Sequence, residues 1–600
     1  MSHVQMEIDF RRIDQENNIP FHEAKQKLAE SRSIPFYVAQ PVVYQPKSEY
    51  FTPFLQLMQV LQAYWENPLA SLSCSKTMLL PHQVEAAMAV LQNAKSRMLI
   101  ADEVGLGKTI EAGLILKELM LKNNYDRALI CVPSPLVYQW QNELKEKLNE
   151  HFAVLTGKVF KKNPNFLLEN PKVIVSIDLA KMPDKTELFL QQKYDIVVFD
   201  EAHRLRRDQN KITQAYHFAD KICQHCLNED GALLLLSATP FRGKLEEIYY
   251  LIRLIDPDLL GPLDEFLKQY GEDGNGNLKE VLAPVVIRRR KKDVGGFTER
   301  FAKTVKVTQT PAEANFYDLV THYVLDEYNR ALSKGNHLKS FVMLVYQKIL
   351  DSSRYALLQA LQRRELALKT LLKNTQDKVQ EISYQYKIHK KLFTEEEWQT
   401  ELEDLYENEE FIHEQEEVAD PEEIKAEIKL IQNLINVGSA LEKDSKLQVL
   451  KKSIRDLKKA GHEKIILFTQ FTGTLRYLQQ ELKKQYRVVI FHGGMTAQEK
   501  EKAVETFFQD AEIFIATEAG GEGRNLQIAS ALINYDLPWS PLKLEQRIGR
   551  IHRYGQKRDV FIMNFATRDT VAEKVIDVLD KKIKIFENAF GESDTLLGML

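Results

Sequence analysis

Six hundred residues are more than one hydrophobic core serves, so the chain should divide into several domains. A hydrophobic content of 44% with 28% charged residues is that of a globular protein. No apolar run approaches the roughly 20 residues a spanning helix needs, which excludes the membrane as an expected partner. A net charge of −4 excludes a whole-protein basic field, so any nucleic-acid contact must come from a local groove, and four cysteines exclude a disulfide framework and point to the cytoplasm.

The opening MSHVQMEIDFRRIDQENN is polar and acidic, unlike a secretory signal, and residues 1–70 are assigned to a leader or accessory segment. From about 79 to 260, short apolar runs (SRMLIAD, RALICVP, KVIVSID, DIVVFDE, ALLLLSA) alternate with helical patterns, as buried parallel strands with crossover helices do. Residues 71–295 are therefore expected to form a doubly wound α/β domain. Within it, RMLIAD reads as a strand, EVGLGKT as a turn and IEAGLILKELML as an amphipathic helix. A strand feeding a glycine loop that opens a helix is a phosphate site, because loop N–H groups and the helix N-terminus both aim positive charge at the anion. Lys108 would neutralise the outer phosphates of ATP and Thr109 would hold a hydroxyl on Mg2+. Asp102 stands where the pattern G-x-x-x-x-G-K-[ST] puts its first glycine, and a dinucleotide loop is excluded by Ile110 at its third.

FDEAH closes a second apolar strand. Asp200 is placed to hold Mg2+ through water and Glu201 to orient and deprotonate an attacking water. CQHC carries Cys223 and Cys226, with His217 and His225 near; one C-x-x-C without a second ligand pair reads as structural or incidental. The basic run IRRRKKDV (287–294) fits either a phosphate patch or an interdomain brace. From 296 to 445 the apolar spacing turns helical and strands are expected to vanish, giving a long helical insertion. Inside it, residues 395–423 hold fifteen Asp or Glu and no Lys or Arg, a solvated arm or linker rather than a dedicated site for a basic partner. Strand rhythm returns in KIILFTQF, YRVVIFHG, EIFIATEA, ALINYDL and VFIMNFA, so 446–600 is expected to be a second α/β domain ending in the helix TVAEKVIDVLDKKIKIFENAF. Little chain follows that helix for a nuclease or reader domain, so specificity is expected in residues 1–70, the insertion or another subunit.

The order of LLPHQ, DEVGLGKT, PSPLVYQW, DEAH, SATP, TEAGGEGRNLQ and EQRIGRIHRYGQ resembles a superfamily 2 ATPase of the Swi/Snf class over about residues 75–590. GGEGRNLQ, YDLPWSP and LEQRIGRI resemble most the bacterial branch typified by RapA. In that class D-E-x-G-x-G-K-T is the usual loop, which accounts for Asp102. SATPFRG stands where eukaryotic remodellers typically read T-G-T-P-x-Q-N, which argues against nucleosome remodelling.

The resemblance implies two RecA-like doubly wound parallel-sheet domains, a helicase core, carrying the helical insertion. It implies Gln83 on the adenine and Gly105, Gly107, Lys108 and Thr109 on the phosphates, with His203, Ser237 and Thr239 coupling nucleotide to movement. Arg550 and Arg553 would be arginine fingers from the second domain, supported by Gln546 and Arg547. A permanently charged guanidinium supplied across the cleft makes hydrolysis depend on closure. It also implies Pro133, Ser134, Ser176, Thr469, Gln470 and Thr517 on a nucleic-acid backbone, contacts that carry no sequence preference.

Only LQIASALINYDLPWSPLKLE joins Asn525 to Gln546, too little for a strand-separating pin beside the strand NYDLPW and a helix starting near Pro541. The expected function is a Mg-ATP-driven translocase on double-stranded DNA that displaces bound protein. The alternatives are a strand-separating helicase on single-stranded DNA or RNA and a nucleotide-gated scaffold among other protein subunits. The leader shows no RapA-type polymerase-binding module, which favours an antiviral defence complex or another DNA-processing system over transcription recycling.

Overall fold

The structure is a computed structural model that describes residue 76 and residues 80–93, 95–123, 125–209, 212–241, 244–271, 276–333, 337–374, 421–517, 525–590 and 597. The expected leader, and the acidic arm apart from its last three residues, lie outside the described residues.

Strands β1 (Arg97–Ile100), β2 (Ala128–Val132), β3 (Ala153–Leu155), β4 (Lys172–Ser176), β5 (Tyr194–Asp200), β6 (Leu227–Leu236) and β7 (Val286–Ile287) form one sheet. Its order is β3-β4-β2-β5-β6-β1-β7, parallel at every pairing. All five residues of β2 are buried, as a strand covered by helices on both faces requires. Helices α1 (Pro81–Gln92), α2 (Lys108–Asn123) and α3 (Val137–Leu148) pack on this sheet. In α3 the buried Trp140, Leu144 and Leu148 recur every four residues on one face, and Asn149 in the left-handed region ends it. Ile100, Leu236 and Asp200 stand in one row across β1, β6 and β5, so the loops that follow these strands emerge side by side.

The second sheet contains β8 (Arg300–Val307), β9 (Ile465–Phe468), β10 (Val488–Phe491), β11 (Ile513–Ala516), β12 (Ala531–Asn534) and β13 (Val560–Thr567) in the order β10-β11-β9-β12-β13-β8, again all parallel. The expectation that strands vanish from 296 is corrected by β8. Its sequence RFAKTVKV alternates basic and apolar residues at a half-exposed edge, so it offers no continuous apolar run. The helices α4 (Pro311–Ser333), α5 (His337–Ser352), α6 (Arg354–Asn374) and α7 (Pro421–Ala440) then build their own core around Phe316, Val320, Tyr346, Leu361 and Ile431. Phe471 of the second lobe enters that core, which ties the insertion to the lobe. A buried Arg364–Glu427 ion pair at 2.5 Å, joined by the Tyr323 hydroxyl donating to Glu427 at 2.9 Å, pins α6 to α7.

Helix α8 (Ser445–Lys459) starts from Asp444, whose carboxylate caps it, and seats Leu450 and Ile454 in the second lobe; α9 (Pro541–Ile548) and α10 (Val571–Phe590) lie further along the chain. Helix α10 does not stay in the domain assigned to 446–600. Val575, Ile576 and Leu579 lie in the second lobe's core, whereas Phe586, Ala589 and Phe590 lie in the first lobe's, where Phe586 stacks on Phe241 and Phe590 meets it tilted, each with ring centroids at 6.0 Å.

Candidate active site

The phosphate loop leaves β1 at Ala101 and turns through Gly105 and Gly107, both with positive φ (95° and 97°), a conformation that favours glycine. A Cβ on Gly107 would lie 2.4 Å from Gln83 Nε2, so the loop and the head of α1 are in direct contact. Gln83 Nε2 donates to Leu106 O at 3.1 Å while its Oε1 accepts Leu80 N at 3.2 Å, which fixes the amide at the loop's rim. Thr109 lies in the first turn of α2, and Lys108 Nζ donates to Asp102 O at 2.7 Å, curling its ammonium over the loop.

Asp102 has a local reason beyond the motif. Its carboxylate, fully buried, accepts the backbone N–H of Arg289 at 2.9 Å and pairs with the Arg289 guanidinium, which also reaches Glu111 at 2.9 Å. Burial and the neighbouring Asp102 hold the Glu111 carboxyl well above the usual carboxylate range. Arg288 Nη1 donates to Ala101 O at 2.6 Å and Ala238 O at 3.0 Å, tying the loop's entry to the SATP turn. Arg288 and Arg289 of the basic run thus turn inward, onto the phosphate loop and the SATP turn of their own lobe.

Asp200 ends β5 half-buried beside the loop. Trp140 Nε1 donates to its Oδ2 at 2.8 Å and Glu201 N to its Oδ1 at 2.8 Å, so each oxygen has one fixed donor. Burial and the adjacent Glu201 charge push its carboxyl up to about 7. The Asp200 carboxylate, with spare lone pairs and the Lys108 charge acting on it, is an oxygen donor that would suit Mg2+, and the Thr109 hydroxyl at the start of α2 would be a second. Glu201 sits in the left-handed region (φ 50°, ψ 50°), strain of the kind found at functional positions. Burial alone would raise its carboxyl; the hydrogen bond and charge of His203, with Lys108 and Arg204, hold it down at about 2. His203 Nδ1 lies 3.1 Å from Glu201 Oε2 and 3.3 Å from Ser237 Oγ, and Ser237 donates to Thr239 O at 3.0 Å. The Glu201 carboxylate is therefore wired to the SATP turn; the Thr239 hydroxyl is buried nearby.

The second lobe closes over this loop. Gln546 Nε2 donates to Glu201 Oε1 at 3.3 Å. A Cβ on Gly549 would lie 2.4 Å from Val104 of the loop, and one on Gly105 would lie 3.5 Å from the Arg553 side chain. Arg553 Nε donates to Gly549 O at 2.7 Å, so its stem crosses the loop while the guanidinium folds against its own helix end, and Arg550 is buried in the same segment. Arg547 Nη1 donates to Asn534 Oδ1 (3.0 Å) and Asp536 O (2.8 Å) in its own lobe, with the guanidinium over Phe468. A long cation three residues before Arg550 falls on the helix face packed against β12, a place from which it supports the arginine segment.

The residues assigned to nucleic acid fall into two groups. In the first lobe Pro133 precedes a short 3-10 turn, Ser134 Oγ donates to Asp178 Oδ2 at 3.1 Å, and Ser176 caps the helix that carries Asp178. In the second lobe the assigned residues are buried. Thr469 is fully buried with its hydroxyl donated to Asp536 at 2.7 Å, Gln470 gives its N–H to Asp536 at 2.7 Å and its amide to Leu537 O at 3.3 Å, and Thr517 is buried. Polar side chains at strand ends here satisfy one another instead of facing solvent. Cys226, buried, donates to Leu190 O at 3.5 Å, and burial pushes the Cys223 thiol up to about 12, so the pair belongs to the packing of the π turn Ile222–Cys226. Among the described residues no group of three or more His, Cys, Asp or Glu is arranged to hold a metal. Trp140 and Lys291 are site residues that motif reading does not assign. Trp140 lies in a helical face that reads as core, and only its indole N–H in a buried position hints at a polar partner.

Family models match the chain along most of its length: the SNF2-related domain over residues 82–446 and the helicase conserved C-terminal domain over 445–555. The chain is 34% identical over 526 residues to the uncharacterized ATP-dependent helicase YqhH of Bacillus subtilis, covering 86% of this chain and 80% of that one. It is 28% identical over 597 residues to the RNA polymerase-associated protein RapA of Vibrio campbellii, covering 94% of this chain and 55% of RapA; it thus spans about half of that relative. Solved structures similar to it include the Sulfolobus solfataricus SWI2/SNF2 ATPase core in complex with dsDNA (18% identity, TM-score 0.35, covering 87% and 94%) and the Pyrococcus furiosus Hef helicase domain (17%, 0.46, covering 83% and 97%). With the loop, the paired carboxylates and the arginine segment meeting in one cleft, the chain belongs to the SNF2-related family and is an ATP hydrolase of helicase superfamily 2.

Proposed function

We propose that the chain is a Mg-ATP-driven translocase that tracks on double-stranded DNA without sequence preference and without separating the strands. The observation that carries this is the connection between β12 and α9: six residues, 535–540, join Asn534 to Pro541, which leaves no hairpin there to part a duplex. In the cycle Lys108 and the loop amides grip the phosphates, Glu201 orients and deprotonates water, and Arg550 and Arg553 stabilise the charge that develops. Mg2+, held by Thr109 and Asp200, would neutralise charge between the outer phosphates. Gln546 on Glu201 makes the water-orienting carboxylate sense closure, and repeated closure and opening would move the second lobe along one strand. In the second lobe Thr469 and Gln470 would reach the strand only when Asp536 releases them, which makes their grip a function of conformation. The force falls on protein bound to the DNA, in a transcription, repair or defence assembly; the RNA polymerase-associated name of the RapA relatives supports a protein partner.

The test is ATP turnover with linear duplex of increasing length, single-stranded DNA and RNA, with Glu201→Gln as the blank. A third strand paired to the duplex reports translocation, and a forked duplex reports separation. Length-dependent stimulation by duplex with third-strand displacement is expected. Stimulation by single strands alone would make the protein a helicase; none by any of them, a scaffold.

A further inference from the structure

Lys291 is a lysine with no exposure, at a place where two lobes meet. Lysine is rarely buried without a charge-compensating role, because the ammonium gives up its hydration. Its backbone N–H donates to Glu103 Oε2 at 3.0 Å, which anchors it to the phosphate loop, and its stem passes 3.8 Å from where a Cβ on Gly105 would stand. Its ammonium then leaves the first lobe: Nζ is 3.3 Å from His552 Nδ1 and 3.9 Å from Glu545 Oε1, both in the arginine segment.

The histidine's tautomer follows from its partners. His552 Nε2 lies 2.9 Å from Thr298 O, and a carbonyl only accepts, so Nε2 carries the proton. Burial and the Lys291 charge hold the ring's pKa down at about 4, so it is neutral and Nδ1 has a lone pair for the ammonium. Glu545, which also receives Arg300 at 3.1 Å, balances the charge. Arg550 lies between these two contacts and Arg553 directly after them.

We propose that Lys291 is the positioning residue that seats the arginine segment on the phosphate loop: its ammonium, accepted by His552 and faced by Glu545, holds residues 545–553 over Gly105. His552 and Glu545 both belong to the second lobe, so loss of Lys291 disturbs closure and leaves nucleotide grip to Lys108. The role rests on Arg550 and Arg553 acting as proposed above.

The experiment uses the full chain with Mg-ATP and saturating duplex DNA, comparing Lys291→Met, His552→Leu, His552→Gln and Arg553→Ala, with turnover read beside the Kd of a fluorescent ATP analogue. Lys291→Met and His552→Leu are each expected to lower kcat about tenfold or more with Kd within about twofold, the signature of an interaction made on the way to the transition state. The double variant is expected to be no worse than the single ones, as for residues acting as one unit. Glutamine offers both a donor and an acceptor, so His552→Gln recovers most of the turnover, which a cavity effect alone would not allow. Full turnover by Lys291→Met while Arg553→Ala is dead overturns the proposal and spares the arginine role; full turnover by Arg553→Ala overturns the arginine role itself. Multiplying losses in the double variant, or a Kd that weakens in step with kcat, also overturns the proposal. Should Lys291→Met fail to fold, the contrast between His552→Leu and His552→Gln decides it, and equal loss in both refutes it.

Discussion

Replacing Trp140 with phenylalanine removes one atom of chemical consequence, the N–H that holds Asp200 Oδ2 at 2.8 Å. The carboxylate keeps the Glu201 N–H on its other oxygen, so it loses one of two fixed donors and gains freedom to rotate. A hydrogen bond to a charged group contributes about 1.5–3 kcal/mol net. Each 1.4 kcal/mol is about a factor of ten in a rate or a half-saturation, so the expected loss is about 10- to 100-fold. It is expected to appear as a lower turnover or a raised half-saturating Mg2+, with ATP affinity held by Lys108 little changed. Trp140 is 1% exposed, so the smaller ring also leaves a cavity, and a control must separate the two effects. Leu144→Ala, one turn on along α3 and equally buried, costs about 2–5 kcal/mol by cavity formation alone. The assay is a Mg2+ titration of turnover for both variants at a temperature where each is folded by circular dichroism. If Leu144→Ala shifts the Mg2+ dependence as much as Trp140→Phe, or Trp140→Phe shifts neither turnover nor Mg2+ dependence, the positioning argument is wrong.

Gly107→Ala forces a side chain to φ 97° and drives its Cβ into the Gln83 amide; at about 1–3 kcal/mol of backbone strain plus about 1 for the lost hydrogen bond, nucleotide affinity should fall at least about tenfold in a fluorescence titration. Asp351 is pushed up to about 7 by burial, so the folded state holds its proton more tightly than the unfolded one and its cost to stability grows as pH rises from about 4 to 7. Asp351→Asn should therefore raise the melting temperature at pH 8 and lose that gain towards pH 4, and an equal gain at both would refute the assignment. Glu427→Gln leaves the buried Arg364 without its counter-charge, at a cost of about 3–5 kcal/mol, and should speed hydrogen exchange across α4, α6 and α7 ahead of the two sheets.

Strands β2, β5, β6, β9 and β13 are legible because a parallel strand buried on both faces must be apolar at nearly every position. The same criterion passes over β3, β7 and β8, which are two or three residues long or lie at a half-exposed edge. In the candidate site, Gly105 and Lys108 stand out in the sequence as one short glycine turn between a strand and a helix, and Asp200 and Glu201 as a carboxylate pair closing a second apolar strand. Trp140 is not, since its meaning lies in a carboxylate 60 residues away, nor Lys291, whose partner is 261 residues away. Thr469 and Gln470 show the reverse difficulty. Their chemistry suits a phosphate backbone, but a sequence does not say that Asp536 has already claimed it.

Helix α10 has its first half in one core and its last half in the other, while residues 288–299 join the two sheets by a separate route. Bodies held by a single flexible strand can tumble in any direction; bodies held at two separated places can turn only about the line between them. In the cycle proposed above, the second attachment would make the cleft a door on two hinges. Shaving Phe586 and Phe590 to alanine would leave both rooms standing and take one hinge off the frame, so that ATP is still split but the swing no longer points one way.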